Sequence, residues 1–331
     1  MADLPLKNSD RGEVMKLSCG QLWAVLFAFR AFSLMCSGTG YSVKCFLGVL
    51  VSAAVQLAFV LPVTFLLSRK KYISEKCGLI AAFYFIFTGI TVFGKFSCFS
   101  PAGSPLVLTV LMTAAVLWCR RYELSSCGRT AVVISGLFVI MTAFLILSVS
   151  KHMNIGNIAS ASAEDSSLLV YVAENLREDL FFPVIPVAAL LAGRCRTRGI
   201  TAYFVSSILL SVVIIFAGAS VSGAESFAAD TPFFSLCSFF TPSGLQRMDA
   251  VFLSAFVLCA ALCINICSCI SSRILKLPPF ITVLMIAAGG LVYSGYYTGP
   301  AMAAMLAAFI IAGVLFVRRN LNKPEKIYRN L

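Results

Sequence analysis

Ten apolar stretches joined by nine short polar segments make up almost all of this 331-residue chain. They lie near 17–37, 45–67, 78–94, 104–118, 130–149, 168–192, 200–218, 248–272, 279–297 and 300–317. A bilayer core of about 30 Å is crossed by a helix of roughly 17–25 apolar residues. Lipid offers backbone groups no partners, and no alternating barrel-strand pattern is present, so each stretch reads as a helix. A soluble domain of this length could not hide a chain that is 60% hydrophobic and only 12% charged.

Lysine and arginine gather on alternate joints. The joint 68–77 carries Arg69, Lys70, Lys71 and Lys76, and the joint 119–129 carries Arg120, Arg121 and Arg129. The joint 193–199 carries Arg194, Arg196 and Arg198, and the joint 273–278 carries Arg273 and Lys276. With Lys7, Arg11 and Lys16 before the first stretch and five more beyond the last, these make 20 of the 26 basic residues. The intervening joints hold only Lys44, Lys95, Lys151 and Arg247. Cytoplasmic segments retain Lys and Arg, so the alternation predicts ten crossings with both termini inside. The expected organisation is a cytoplasmic tail over 1–16, one membrane domain over 17–318 and a basic cytoplasmic tail over 319–331. The polar first sixteen residues and the full-length first span predict that there is no cleavable signal peptide.

The net charge of +12 does not point to nucleic acid, because the positive residues lie on joints where topology accounts for them. The opposite side is acidic, holding Glu164, Asp165, Glu174, Glu178, Asp179, Glu225, Asp230 and Asp249. Thirteen cysteines fall mostly within spans, without the paired outer pattern of a disulfide framework. Cys259, Cys263 and Cys267 recur at i, i+4, i+8. Such a stripe admits two readings, a soft-metal site or small residues that let helices approach closely. No His or carboxylate joins it, which favours the second, and neither a metal nor a cofactor is expected. His152, the sole histidine, is expected to be solvated in an outer joint. Walker-type, HExxH and nucleophile-elbow patterns are absent, so the chain is not expected to be an enzyme.

Two outer segments are long enough to be structured. One, roughly 150–167, reads equally as a cap or as a mobile loop. The other, roughly 219–247, carries Phe233, Phe234, Phe239 and Phe240, which call for a lipid interface or a protein surface. Ten spans divide as five plus five, and an odd number per half inverts the second half, as in inverted-repeat transporters.

Ionisable and polar groups inside spans are costly and are functional candidates. Arg30 lies fourteen residues past Lys16, about 20 Å along a helix and past the bilayer centre. It faces a binding site or snorkels to the outer headgroups. Ser33 and Ser37 to Gly40 follow, as an unwound binding stretch or simply as the end of the helix. In the sixth span a charged run from Glu174 to Asp179 meets Phe181, Phe182, Pro183 and Pro186. Each proline removes a donor and crowds the preceding turn, so a break is expected near Phe182. Half-helix ends exposed at mid-membrane hold ions and small zwitterions.

These residues resemble the B-subunit family of bacterial spore germinant receptors, permease-like proteins of the amino acid–polyamine–organocation superfamily. The resemblance rests on Leu17-Ser-Cys-Gly-Gln-Leu-Trp-Ala, Arg129-Thr-Ala, Phe182-Pro183, Thr231-Pro-Phe-Phe-Ser-Leu and Leu245-Gln-Arg-Met-Asp-Ala-Val, in that order. Phe32-Ser33 stands where members carry Gly-Ser, and Pro186 stands where they carry Glu. The resemblance implies a leucine-transporter-like fold in the spore inner membrane. It further implies a small nutrient such as an amino acid bound between broken spans 1 and 6. Two partner subunits would follow, a membrane protein with a large soluble domain and a lipoprotein. The candidate binding residues are Arg30, Phe32, Ser33, Ser37, Phe181, Phe182 and Pro183. The alternative reading is an ion-coupled secondary transporter of amino acids or other small solutes.

Overall fold

The computed structural model describes residues 17–38, 40–68, 75–98, 105–119, 124–162, 167–180, 187, 196–227, 232–238 and 249–292. The expected tenth span, both tails, and the stretch holding Phe181, Phe182 and Pro183 lie outside the described residues.

The described chain is helical. The helices are α1 (Cys19–Cys36), α2 (Val43–Ser68), α3 (Glu75–Cys98), α4 (Pro105–Cys119), α5 (Leu124–Val149), α6 (Ile155–Ser162), α7 (Leu168–Leu180), α8 (Arg196–Ser222), α9 (Pro232–Ser238), α10 (Asp249–Leu275) and α11 (Pro279–Leu291). Five segments among the described residues are long and apolar enough to cross a bilayer: Cys19–Cys36, Gly78–Ser97, Leu124–His152, Thr197–Ser222 and Ala250–Leu275. The outward faces of α4, α5 and α8 present large apolar side chains such as Leu111, Val133, Leu147 and Leu209, each more than 60% exposed. An exposed apolar surface of this extent marks a lipid-facing girdle. The chain is a multi-pass membrane protein.

Local signals set several helix ends. Ser18 and Gln21 form a capping box, with the Gln21 amide donating to Ser18 Oγ at 3.3 Å and the Ser18 amide donating to Gln21 Oε1 at 3.1 Å. Reciprocal capping of this kind satisfies two orphan donors at a helix start. The other end of α1 stops at Cys36 because Ser37 turns extended, at φ −66° and ψ 127°. Lys276 closes α10 in the left-handed region at φ 54°. Its neighbour Leu277 donates back to the Ser272 carbonyl at 3.1 Å, a closure glycine usually provides. The fifth helix begins at Leu124, six residues before the expected 130. Its first turns are pulled into the bundle because Cys127 and Gly128 are small, and a Cβ on Gly128 would already lie 3.1 Å from Leu17.

Helix α1 is the axis of the bundle, packed against α5, α8, α10 and the short α9. Helix α3 packs between α10 and α11, while α2 packs on α7 and α8. Glycines bring the α3–α11 pair together: Gly289 faces Ile90, and Gly290 faces Phe93 at 2.7 Å from a built Cβ. Small residues replace hydrophobic driving force at helix contacts in lipid. Hydroxyls add interhelical bonds, from Ser135 Oγ to the Ala24 carbonyl at 3.0 Å and from Ser271 Oγ to the Ala82 carbonyl at 3.0 Å.

Both long outer segments are structured where described. A 3-10 turn at Ser150–His152 leads into α6, and His152 is exposed. Asn157 Nδ2 donates to the carbonyls of Ser220 at 3.1 Å and Val221 at 2.9 Å, and the Asn154 amide also reaches Ser220. This clamps α6 onto the end of α8. The turn Gly223–Phe227 follows, with Gly223 at φ +53°. In α9, Phe233 is fully buried among Phe138, Phe234 and Phe252. Of the two surfaces those phenylalanines called for, Phe233 takes the protein one.

Candidate binding site around Arg30

Arg30 lies on the central helix with only 3% of its surface exposed. Its Nη2 donates to Ser211 Oγ on α8 at 2.9 Å, and Ser211 is fully buried. Seven residues earlier on α1, Trp23 Nε1 donates to Ser206 Oγ on α8 at 2.8 Å. Two helical turns separate Trp23 from Arg30, so both lie on one face of α1, opposite a serine stripe on α8. The guanidinium is therefore held inside the bundle rather than snorkelling to a headgroup layer.

Ser33 follows Arg30 by one turn. Its Oγ is buried and has no hydrogen-bond partner among the described residues. A buried hydroxyl in that state is costly. Phe32 points to another side of α1. It stacks on Phe256 of α10, with ring centroids 5.1 Å apart and 7° between the planes. Phe256 also meets Phe96 of α3 at 5.7 Å and Phe234 of α9 at 5.9 Å. This four-ring cluster joins α1, α3, α9 and α10 beside the Arg30 level and forms an apolar wall.

The structure therefore brings Arg30 to Ser211, with Ser33 one turn further along α1, while Phe32 lies nearly opposite Arg30 around the helix, in the aromatic cluster with Phe256. Ser37 is separate, half-buried at the helix end and about 10 Å along the axis from Arg30. The expected mid-membrane interruption of the first span is not found: α1 runs unbroken through Arg30, Phe32 and Ser33. The segment from Phe29 to Cys36 contains neither proline nor glycine, so nothing forces its ladder open, and the helix is capped at Ser37. In the sixth span, α7 packs on α2 through Tyr171, whose Cβ lies 2.9 Å from a Cβ built on Gly48. Helix α7 reaches Leu180, and Val187 is helical and fully buried.

Ser211 was not singled out from sequence, although Ser206, Ser207 and Ser211 are polar residues inside a span and carried the general signal. Cys259, Cys263 and Cys267 are fully buried on α10. No group of three His, Cys, Asp or Glu side chains is placed to hold a metal among the described residues.

A guanidinium held at mid-span presents a rigid fork of N–H donors that matches a carboxylate. One turn along, the Ser33 hydroxyl offers a donor and an acceptor.

No protein-family model matches the chain, and no curated protein matches its sequence. Among solved structures, the chain is similar to a Na+-coupled sialic acid symporter captured substrate-bound and outward-open. The TM-score is 0.50 at 12% identity, over 95% of this chain and 76% of that chain. The chain shares the all-helical fold of that symporter. The receptor B-subunit resemblance has no counterpart in these comparisons beyond the shared helical architecture.

Proposed function

We propose that this protein is a secondary transporter that moves a small solute, an amino acid or another small carboxylate, with a coupled ion. The observation that carries this is Arg30, held by Ser211 inside the central helix pair of a transporter fold. An ionisable group kept within a span marks a substrate or ion pathway by default. Arg30 takes the anionic end of the solute, and Ser33 Oγ supplies a further hydrogen bond. Sodium is the first coupling ion to test, given the ion used by the structurally similar symporter.

The test is uptake into proteoliposomes loaded with the purified chain, using a panel of labelled amino acids and sialic acid with and without an inward Na+ gradient. Net accumulation of a panel member that collapses in Arg30→Met supports the reading. Saturable binding with no flux under any ion gradient overturns it. That second result would instead favour the permease-like sensory subunit implied by the motifs from Leu17 to Ala24 and from Leu245 to Val251.

A further inference from the structure

A groove of about 240 Å³ lies between α2, α6 and α8, away from Arg30. Val43 and Phe46 of α2, Ile158 of α6, and Val212, Ile215 and Phe216 of α8 line it. Ser42 supplies a hydroxyl at the rim, but its Oγ already accepts from the Cys45 amide at 3.0 Å. The groove therefore offers an apolar ligand everything and a polar solute almost nothing.

Its opening is lateral. Val43 is 44% exposed and Phe216 is 58% exposed, so the mouth faces outward from the bundle. Below it, Leu47 and Val51 continue the exposed strip of α2, and Val205 and Leu209 continue that of α8. These strips belong to the lipid-facing girdle and converge on the groove. Ile158 brings α6 to the groove, and Asn157 fastens that helix to the Ser220 and Val221 carbonyls.

We infer that this groove holds one acyl chain of a phospholipid from the leaflet on the α6 side, as a discrete site. The occupant follows from continuity with the bilayer surface, from the apolar lining, and from a volume of about 240 Å³ that suits part of one acyl chain. A bound chain would bridge α2, α6 and α8 and so hold the α6 cap against α8. The inference rests on the membrane-embedded fold and stands apart from the transport reading.

Native mass spectrometry of the full chain, purified in a maltoside detergent and exposed to phosphatidylglycerol or phosphatidylcholine, tests it. Wild type is expected to retain one phospholipid after detergent exchange. Val212→Trp, which fills the groove, should lower the retained fraction by about fivefold, equivalent to a modest change in binding energy. Val133→Trp, on the lipid-facing side of α5 and 70% exposed, should leave it unchanged. Val212→Phe serves as a milder filling variant, and a circular-dichroism melt confirms that each variant is folded. A lipid bearing a diazirine in its acyl chain should label residues 212–219 in preference to the rest of α8. Equal loss of lipid in Val212→Trp and Val133→Trp, or labelling spread evenly along α8, would overturn the inference.

Discussion

Removing the hydroxyl of Ser211 should weaken the protein by a predictable amount. Ser211 Oγ accepts from Arg30 Nη2 at 2.9 Å, and both residues are buried. Hydrogen bonds to charged groups contribute about 1.5–3 kcal/mol in soluble proteins, whereas side-chain bonds between membrane helices average about 0.6 and reach about 1.7. A charged donor in the core of the bundle belongs at the overlap of these ranges, so Ser211→Ala should cost about 1.5 kcal/mol, roughly tenfold in the folding equilibrium. The double variant with Arg30→Met isolates the pair, since in its absence the Ser211 substitution should cost little. Reversible unfolding in mixed maltoside and dodecyl sulfate micelles, followed by circular dichroism, measures all four corners of the cycle. Additive effects of the two substitutions would refute the bond as a stabilising link between α1 and α8.

Other consequences are equally direct. Gly218→Ala should destabilise by about 1–3 kcal/mol, because an added Cβ collides with the Tyr41 ring, lying 2.6 Å from its Cγ, and a thermal melt reads the loss. Phe256→Ala should cost about 3–5 kcal/mol, since one ring holds Phe32, Phe96 and Phe234 together; the same melt should fall further than for Gly218→Ala. Asn157→Ala removes two bonds to the end of α8 and should raise amide hydrogen exchange in α6 by about thirtyfold, each such bond being worth roughly 1 kcal/mol. That measurement should leave exchange in α3 untouched.

Much of the architecture was written in runs and caps. The first span was placed at 17–37 and the helix occupies Cys19–Cys36, because the apolar run and the Ser18–Gln21 cap mark the same start. The Ser-x-x-Gln motif that suggested a family also has a purely local meaning, as a helix-opening device. Less legible was what depends on partners far along the chain. Whether Arg30 snorkels or turns inward is decided by Ser211, 181 residues away, and periodicity within one helix cannot show it. Polarity suggested an unwound stretch after Ser33, yet helix continuity is decided by the uninterrupted ladder and by packing on α5, α8 and α10. The early start of α5 was hidden for a similar reason. Its polar first turns, Ser125 and Ser126, read as a joint, whereas neighbouring Cys127 and Gly128 are buried against α1.

The outer tip of α8 gathers three separate attachments. Tyr41, in the link from α1 to α2, rests on Gly218 and donates its amide to Ser226 Oγ at 3.0 Å. Helix α6 is tied to Ser220 and Val221, and the turn Gly223–Phe227 continues directly from the helix. The tip thus works as a lever with several loads. Tilting it by a few ångströms would drag the start of α2 and the whole of α6 together, so a spectroscopic label on the exposed face of α6 would report the position of α8, to which it is tied.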